Sequence, residues 1–222
     1  MTHTFTHFRR MAIVAALLLA SAWPAHAQFS SIEMAPPPEM IGKIAPRWNL
    51  KVWINTADLV ETNRLRGKVV MLRFLNDNPQ GVPGVRELLK TYQPQGLIVV
   101  GIYGPTPTPT SVDTDMVKDL ALALGFQFPI GVDSSWQTVN RYWMNQADVD
   151  AMSATFLIDR NGRIRYVQPD GRYDKNGKDR GTRKQYEDLD RAIKGLLAEP
   201  PPEDLSEPPQ GSSGEPATNP AG

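Results

Sequence analysis

Apolar residues along the chain fall into two alternating patterns, short unbroken runs and stretches of helical period, and their order predicts the fold. Residues 69–74 (VVMLRF) read as a buried strand. Val85, Leu88, Leu89 and Tyr92 follow at i, i+3, i+4 and i+7, which gives a helix with one apolar face. Residues 97–103 (LIVVGIY) have the near-continuous hydrophobicity of a strand whose sheet is covered on both sides. Met116, Leu120 and Leu124 mark a second helix, and residues 126–132 a shorter strand. Trp136, Val139, Asn140 and Trp143 lie along a third helix, with the two tryptophans assigned to the core. Residues 154–167 form two strand-like runs meeting at Asn161-Gly162, a dipeptide suited to a tight primed turn. Tyr186, Leu189, Ile193, Leu196 and Leu197 then give a closing amphipathic helix. The sum is an α/β domain: a central mixed sheet, parallel strands plus a C-terminal antiparallel hairpin, flanked by helices.

The flanks differ in kind. Residues 1–27 carry Arg9-Arg10, an apolar run of about 13 residues from Met11 to Trp23, and the small-residue site Ala25-His26-Ala27, which predicts a secretory signal cut near Ala27. A retained anchor is the alternative, but that run is short against the roughly 20 residues a membrane span needs. The arginine pair lacks the surroundings of a twin-arginine signal. Residues 28–42 include Pro36-Pro37-Pro38 and read as a linker, residues 43–198 as one domain, and residues 199–222, rich in Pro, Glu, Gly and Ser, as a disordered tail. The protein is therefore expected in the periplasm or outside the cell, meeting the membrane only during export.

Composition narrows the chemistry. The chain has no cysteine, and its three histidines, His3, His7 and His26, all lie in the segment expected to be removed. What remains has no sulfur or imidazole nucleophile and none of the usual zinc ligands. Removing Arg9 and Arg10 takes the 24 basic residues to 22 against 24 acidic ones, a charge of −2, which gives no electrostatic case for nucleic acid.

Four segments carry a resemblance to a known family. They are residues 42–48 (GKIAPRW), residues 65–74 (LRGKVVMLRF), residues 96–102 (GLIVVGI) and residues 155–165 (TFLIDRNGRIR). In this order and spacing the chain resembles the thioredoxin superfamily, in particular its exported TlpA-like and DipZ-like thiol-disulfide oxidoreductases. The resemblance implies that the strand at 69–74 runs into a loop holding Cys-x-x-Cys at a helix start, where free N–H groups and the dipole stabilise a thiolate. Pro79 and Val82 occupy those two positions. The family also keeps a cis-proline facing the cysteines, and here that position is Ser153, preceded by Met152. A non-proline cis bond costs roughly 2.5–4 kcal/mol, so Met152–Ser153 is expected to be trans. Pro83 places the helix start near itself.

The resemblance with both halves of its site missing points to a non-catalytic module that binds a protein or peptide of the cell envelope. The groove would be formed by Asn76, Asp77, Gln80, Met152 and Ser153, with the Pro/Thr segment 104–110 beside it. No catalytic residue, metal or cofactor is assigned. The alternatives are a TlpA-like thiol-disulfide oxidoreductase, implied by the resemblance only, a carboxylate enzyme centred on Asp77, or a structural envelope component. Asp77 between Asn76 and Asn78 suits a turn equally well, and Asp133, Asp148 and Asp150 suit helix caps. Residues 170–179 fail the calcium-loop template and read as a polar loop. No phosphate-binding loop, dinucleotide fingerprint or serine elbow is present.

Overall fold

The computed structural model describes residues 40–142 and 153–202. The expected signal, most of the linker, most of the tail, Trp143, Asp148, Asp150 and Met152 lie outside the described residues.

The strand expected at 69–74 is β2, Val69–Leu75, after a two-residue strand β1, Trp53–Ile54. Then come α1 (Val82–Tyr92), β3 (Leu97–Tyr103), α2 (Thr114–Leu124), β4 (Ile130–Val132), α3 (Gln137–Arg141), β5 (Thr155–Ile158), β6 (Ile164–Gln168) and α4 (Arg180–Ala198). The six strands form one sheet in the order β1-β4-β3-β2-β5-β6. β2, β3 and β4 are mutually parallel; at one side β5 runs antiparallel to β2 and β6 antiparallel to β5, and at the other β1 runs antiparallel to β4. This is the mixed sheet that the order of apolar runs predicts.

Every residue of β2 is buried, because both faces of the sheet are covered. Val69, Met71 and Leu75 join the core beneath α1, α2 and α4, and Val70, Leu72 and Phe74 join the opposite one with Trp48, Val139 and Tyr142. Strand period 2 divides the run between the two cores. Asp113 and Asp179 cap α2 and α4 through the N–H groups of Asp115 and Thr182. The buried Asp133 carboxylate accepts from the N–H groups of Gln137, Thr138 and Val139 at 2.8–3.1 Å, the capping role expected for it.

Three local expectations are corrected. The strand expected at 126–132 begins at Ile130, because Pro129 has no N–H for a ladder. Phe126 and Phe128 reach the core from a loop whose carbonyls accept from Asn55 Nδ2. The hairpin does not close through a primed Asn161-Gly162 turn, which needs positive φ at both residues. Only Gly162 has it, at +75°, and the turn runs from Asp159, whose carbonyl accepts from Gly162 N and whose Oδ1 accepts from Asn161 and Arg163 N. The third helix is short. It starts at Gln137, with Trp136 at φ +58° serving as its cap and packing half-buried against the core.

Candidate functional site

The site forms where β2 ends, at the level of the first turn of α1. Beyond Leu75 the chain turns through residues 76–80, and Asn76 Oδ1 accepts from Asn78 N at 3.0 Å. Gly81 follows at φ +66° and caps α1 with no side chain, so the helix starts at Val82 with Pro83 in its first turn. A start near Pro83 is what the sequence predicts. The left-handed cap separates Pro79 from the helix.

The two sulfur positions of the family motif are filled by hydrocarbon that packs inward. Pro79 lines a small apolar cavity with Leu75, Tyr103, Val117, Leu120 and Phe126. Val82 packs half-buried against the same core. Ser153, at the family's cis-proline position, is buried, and its Oγ accepts from Gln80 N at 3.3 Å.

Arg73 binds these parts together. It is fully buried in the middle of β2, on the face turned to α1. Nη1 donates to the Ser153 carbonyl and, at 2.9 Å, to Thr155 Oγ1, and Nη2 donates to the Gln80 carbonyl. Thr155 is its ladder partner on β5 and shares a 3.0 Å hydrogen bond with the Tyr173 hydroxyl. The guanidinium lies 5.4 Å from the Tyr173 ring centroid. Burial pushes the Arg73 pKa down, opposed by Tyr173 and Asp170, and burial pushes the Tyr173 phenol up.

Tyr173 belongs to the stretch 170–179, expected to be a polar loop or extended turn. The stretch is a loop, and part of it is buried. Residues 174–179 are half-buried or exposed, but Gly171 and Tyr173 are buried and form a strap across the start of α1. The approach is close enough to demand glycine: a Cβ on Gly81 would fall 1.9 Å from the Gly171 carbonyl oxygen, and one on Gly84 2.1 Å from that of Tyr173. At Gly171 a Cβ would meet both Arg73 Nη atoms at 2.4 Å.

Above this layer lies a cleft of about 450 Å³ lined by Asn76, Asn78, Gln80, Thr106, Ser153, Asp170 and Arg172. Three of the predicted groove residues, Asn76, Gln80 and Ser153, are brought together there. Met152 lies outside the described residues, and Asp77 is not part of the lining. Asp77 is exposed and accepts from the Tyr103 hydroxyl, whose pKa is pushed up by burial and then by this carboxylate. The Pro/Thr segment contributes Thr106, while Pro105 is buried and its carbonyl accepts from Trp136 Nε1 at 2.8 Å. Among the described residues the lining has no apolar side chain. Its acid and base, Asp170 and Arg172, pair at 3.1 Å.

Sequence reasoning passed over Arg73, Tyr173, Asp170 and Arg172. For Arg73 the signal was available: a cation inside a strand apolar on both faces is buried with partners or costs several kcal/mol. Among the described residues no group of three or more acidic side chains is placed to hold a metal ion, and no helix is long and apolar enough to cross a membrane.

Sheet order, the hairpin and the long closing helix define a thioredoxin-like domain. Solved structures with this fold include a thiol-disulfide isomerase from Corynebacterium glutamicum, at TM-score 0.52 and 23% identity, covering 70% of this chain and 98% of that one. Another is the thioredoxin domain of a thiol-disulfide oxidoreductase from Bacteroides vulgatus, at TM-score 0.51 and 13% identity, covering 69% and 97%. At these identities the likeness is one of fold alone.

The chain belongs to the AhpC/TSA family, whose profile matches residues 41–167. It is 30% identical over 106 residues to the thiol-disulfide oxidoreductase ResA of Geobacillus thermodenitrificans, covering 46% of this chain and 55% of that protein. The chain thus spans about half the length of the curated relatives it matches. It is a cysteine-free relative of thiol-disulfide oxidoreductases.

Proposed function

We propose that this is an exported thioredoxin-like domain that does no thiol-disulfide exchange and binds a protein or peptide segment of the cell envelope at the polar cleft. One observation carries the reading. The redox positions are filled by Pro79 and Val82, while the cleft beside them is kept open and tied in place by the Arg73 network. A side chain able to attack, resolve or store a disulfide is absent from the whole sequence. Amide and hydroxyl groups along a fixed wall are the donors and acceptors that hold an extended chain. The carboxylate-enzyme alternative has less support, since Asp77 lies outside the cleft lining and Asp170 is already paired. Export rests on the tripartite pattern of residues 1–27, and cleavage would leave Gln28 first.

Four measurements test this reading. Purified protein should reduce or isomerise a disulfide substrate no faster than buffer, and its melting temperature should be the same with and without reductant. Turnover above background would sink the redox-inert assignment. A photocrosslinker at Gln80 should capture a partner in the envelope that the same probe at Lys194, on α4, does not. Equal capture from both positions argues against the cleft as the binding surface. N-terminal sequencing of the envelope-borne protein should begin at Gln28, and a protein still carrying residue 1 refutes cleavage.

A further inference from the structure

Three features at one end of the cleft bear on the charge of its occupant. Arg73 is a fully buried cation, and among the described residues no carboxylate lies within ion-pair distance of it. Its Nε–H has no acceptor among the described residues. Its Nη groups are spent on the carbonyls of Gln80 and Ser153, two residues of the cleft wall, so the charge lies one peptide layer beneath the surface. A buried charge is weakly screened by solvent and salt, and its field extends into the cleft.

The second feature is the start of α1. Gly81 offers no capping side chain and the first turn holds no acidic residue, so among the described residues this positive end of an 11-residue helix meets the backbone carbonyls of the strap and no carboxylate caps it. In the family this end faces a thiolate. Here the sulfur is gone and the helix end remains, with Gln80 next to it on the cleft wall.

The rim is the third feature. Arg172 is largely exposed, and Asn76, Asn78, Gln80 and Thr106 add neutral donors. The acid among the lining residues, Asp170, accepts from Gln168 Nε2 at 2.5 Å and from Arg172 N and Nε at 2.9 and 3.1 Å. Among the described residues, one lining carboxylate set against two guanidinium groups leaves one positive charge over.

We infer that the cleft selects occupants bearing a carboxylate, presented by an acidic side chain or by a free chain terminus. The inference rests on the binding reading above and adds the chemistry of the partner. A neutral or basic segment leaves the surplus charge unmet, and a carboxylate meets it while accepting from the amides of the rim.

The test is an array of random octapeptides, half with free C-terminal carboxylates and half amidated, with Asp and Glu included in half of each set. The fluorescently labelled protein is the probe. Peptides with a carboxylate should be enriched about fivefold among those bound, the size of one modest charge pair. Enrichment should collapse in Arg172→Gln, an exposed change that leaves the circular dichroism spectrum as it was, and should shrink as salt rises. The amidated and free-acid halves tell a side-chain carboxylate from a terminal one. Binding with no acidic bias that is still lost in Gln80→Trp would overturn the charge selectivity and leave peptide binding standing. An array with nothing bound, or binding indifferent to Gln80→Trp, overturns both.

Discussion

Deleting the Arg73 guanidinium removes a donor from the buried Ser153 carbonyl, from the buried Thr155 hydroxyl, which keeps Tyr173, and from the part-buried Gln80 carbonyl. Unsatisfied buried acceptors cost about 1–3 kcal/mol apiece, so Arg73→Met should lower unfolding stability by about 2–4 kcal/mol even though its own side chain is apolar. Arg73→Lys should recover little of that, because one ammonium on a flexible stem does not span two carbonyls as a planar fork does. Urea unfolding of the three proteins decides it, and a midpoint unmoved in Arg73→Met would remove the residue from its central place. The same position shows where reading the chain stopped. The run VVMLRFL gives the strand from hydrophobicity alone, but what the arginine holds comes from residues 7, 80 and 82 positions away. Contacts that distant leave no periodic mark.

At the scale of elements, the strap 171–173 and the first turn of α1 are fitted backbone to backbone. Helix propensity alone would make Gly84→Ala stabilising by about 1 kcal/mol. The Tyr173 carbonyl stands where the new methyl would go, so the substitution should instead destabilise by about 1–3 kcal/mol, read by thermal or urea unfolding. A gain in stability would mean that the strap yields freely. The strap escaped the sequence because its composition, Asp-Gly-Arg-Tyr-Asp, is that of a loop, and only the buried Tyr173 ring makes it structural. β1 escaped for another reason: Trp53 and Ile54 are too few to show alternation. The strands β2 and β3 and the β5–β6 hairpin were legible as apolar runs, and α4 because its helical period repeats several times. The Asn161-Gly162 turn was legible in place and not in type, since the Asp159 carboxylate caps the turn from outside the dipeptide.

For the molecule as a whole, stability without disulfides rests on two cores that enclose the aromatic side chains of the described residues. All six tyrosines have their phenol pKa raised, in each case chiefly by burial, and Tyr166 and Tyr186 are pushed up to about 12. An unfolded tyrosine ionises near 10, so above that pH the unfolded state binds fewer protons than the folded one and stability falls as pH rises. Below pH 10 this contribution is fully present. Through the window from 10 to 12 the phenolate absorbance at 295 nm should therefore rise together with loss of the far-ultraviolet circular dichroism signal, in one transition. Tyrosines that titrate well before the helices melt would show the phenols to be freer than their burial implies.

Gly81 carries a consequence for the history of such a chain. Its left-handed backbone starts α1 three positions after Pro79, and the strap has closed over the gap. Writing cysteine at 79 and 82 would put one thiol in an apolar cavity, outside the helix, where burial raises its pKa and slows its attack. Two mutations would restore the spelling of the motif and not its reactivity. Return to redox chemistry also needs a new helix start, a displaced strap and a partner for Arg73, changes that gain nothing singly. A scaffold remodelled in this way is free to specialise its cleft because the road back has closed behind it.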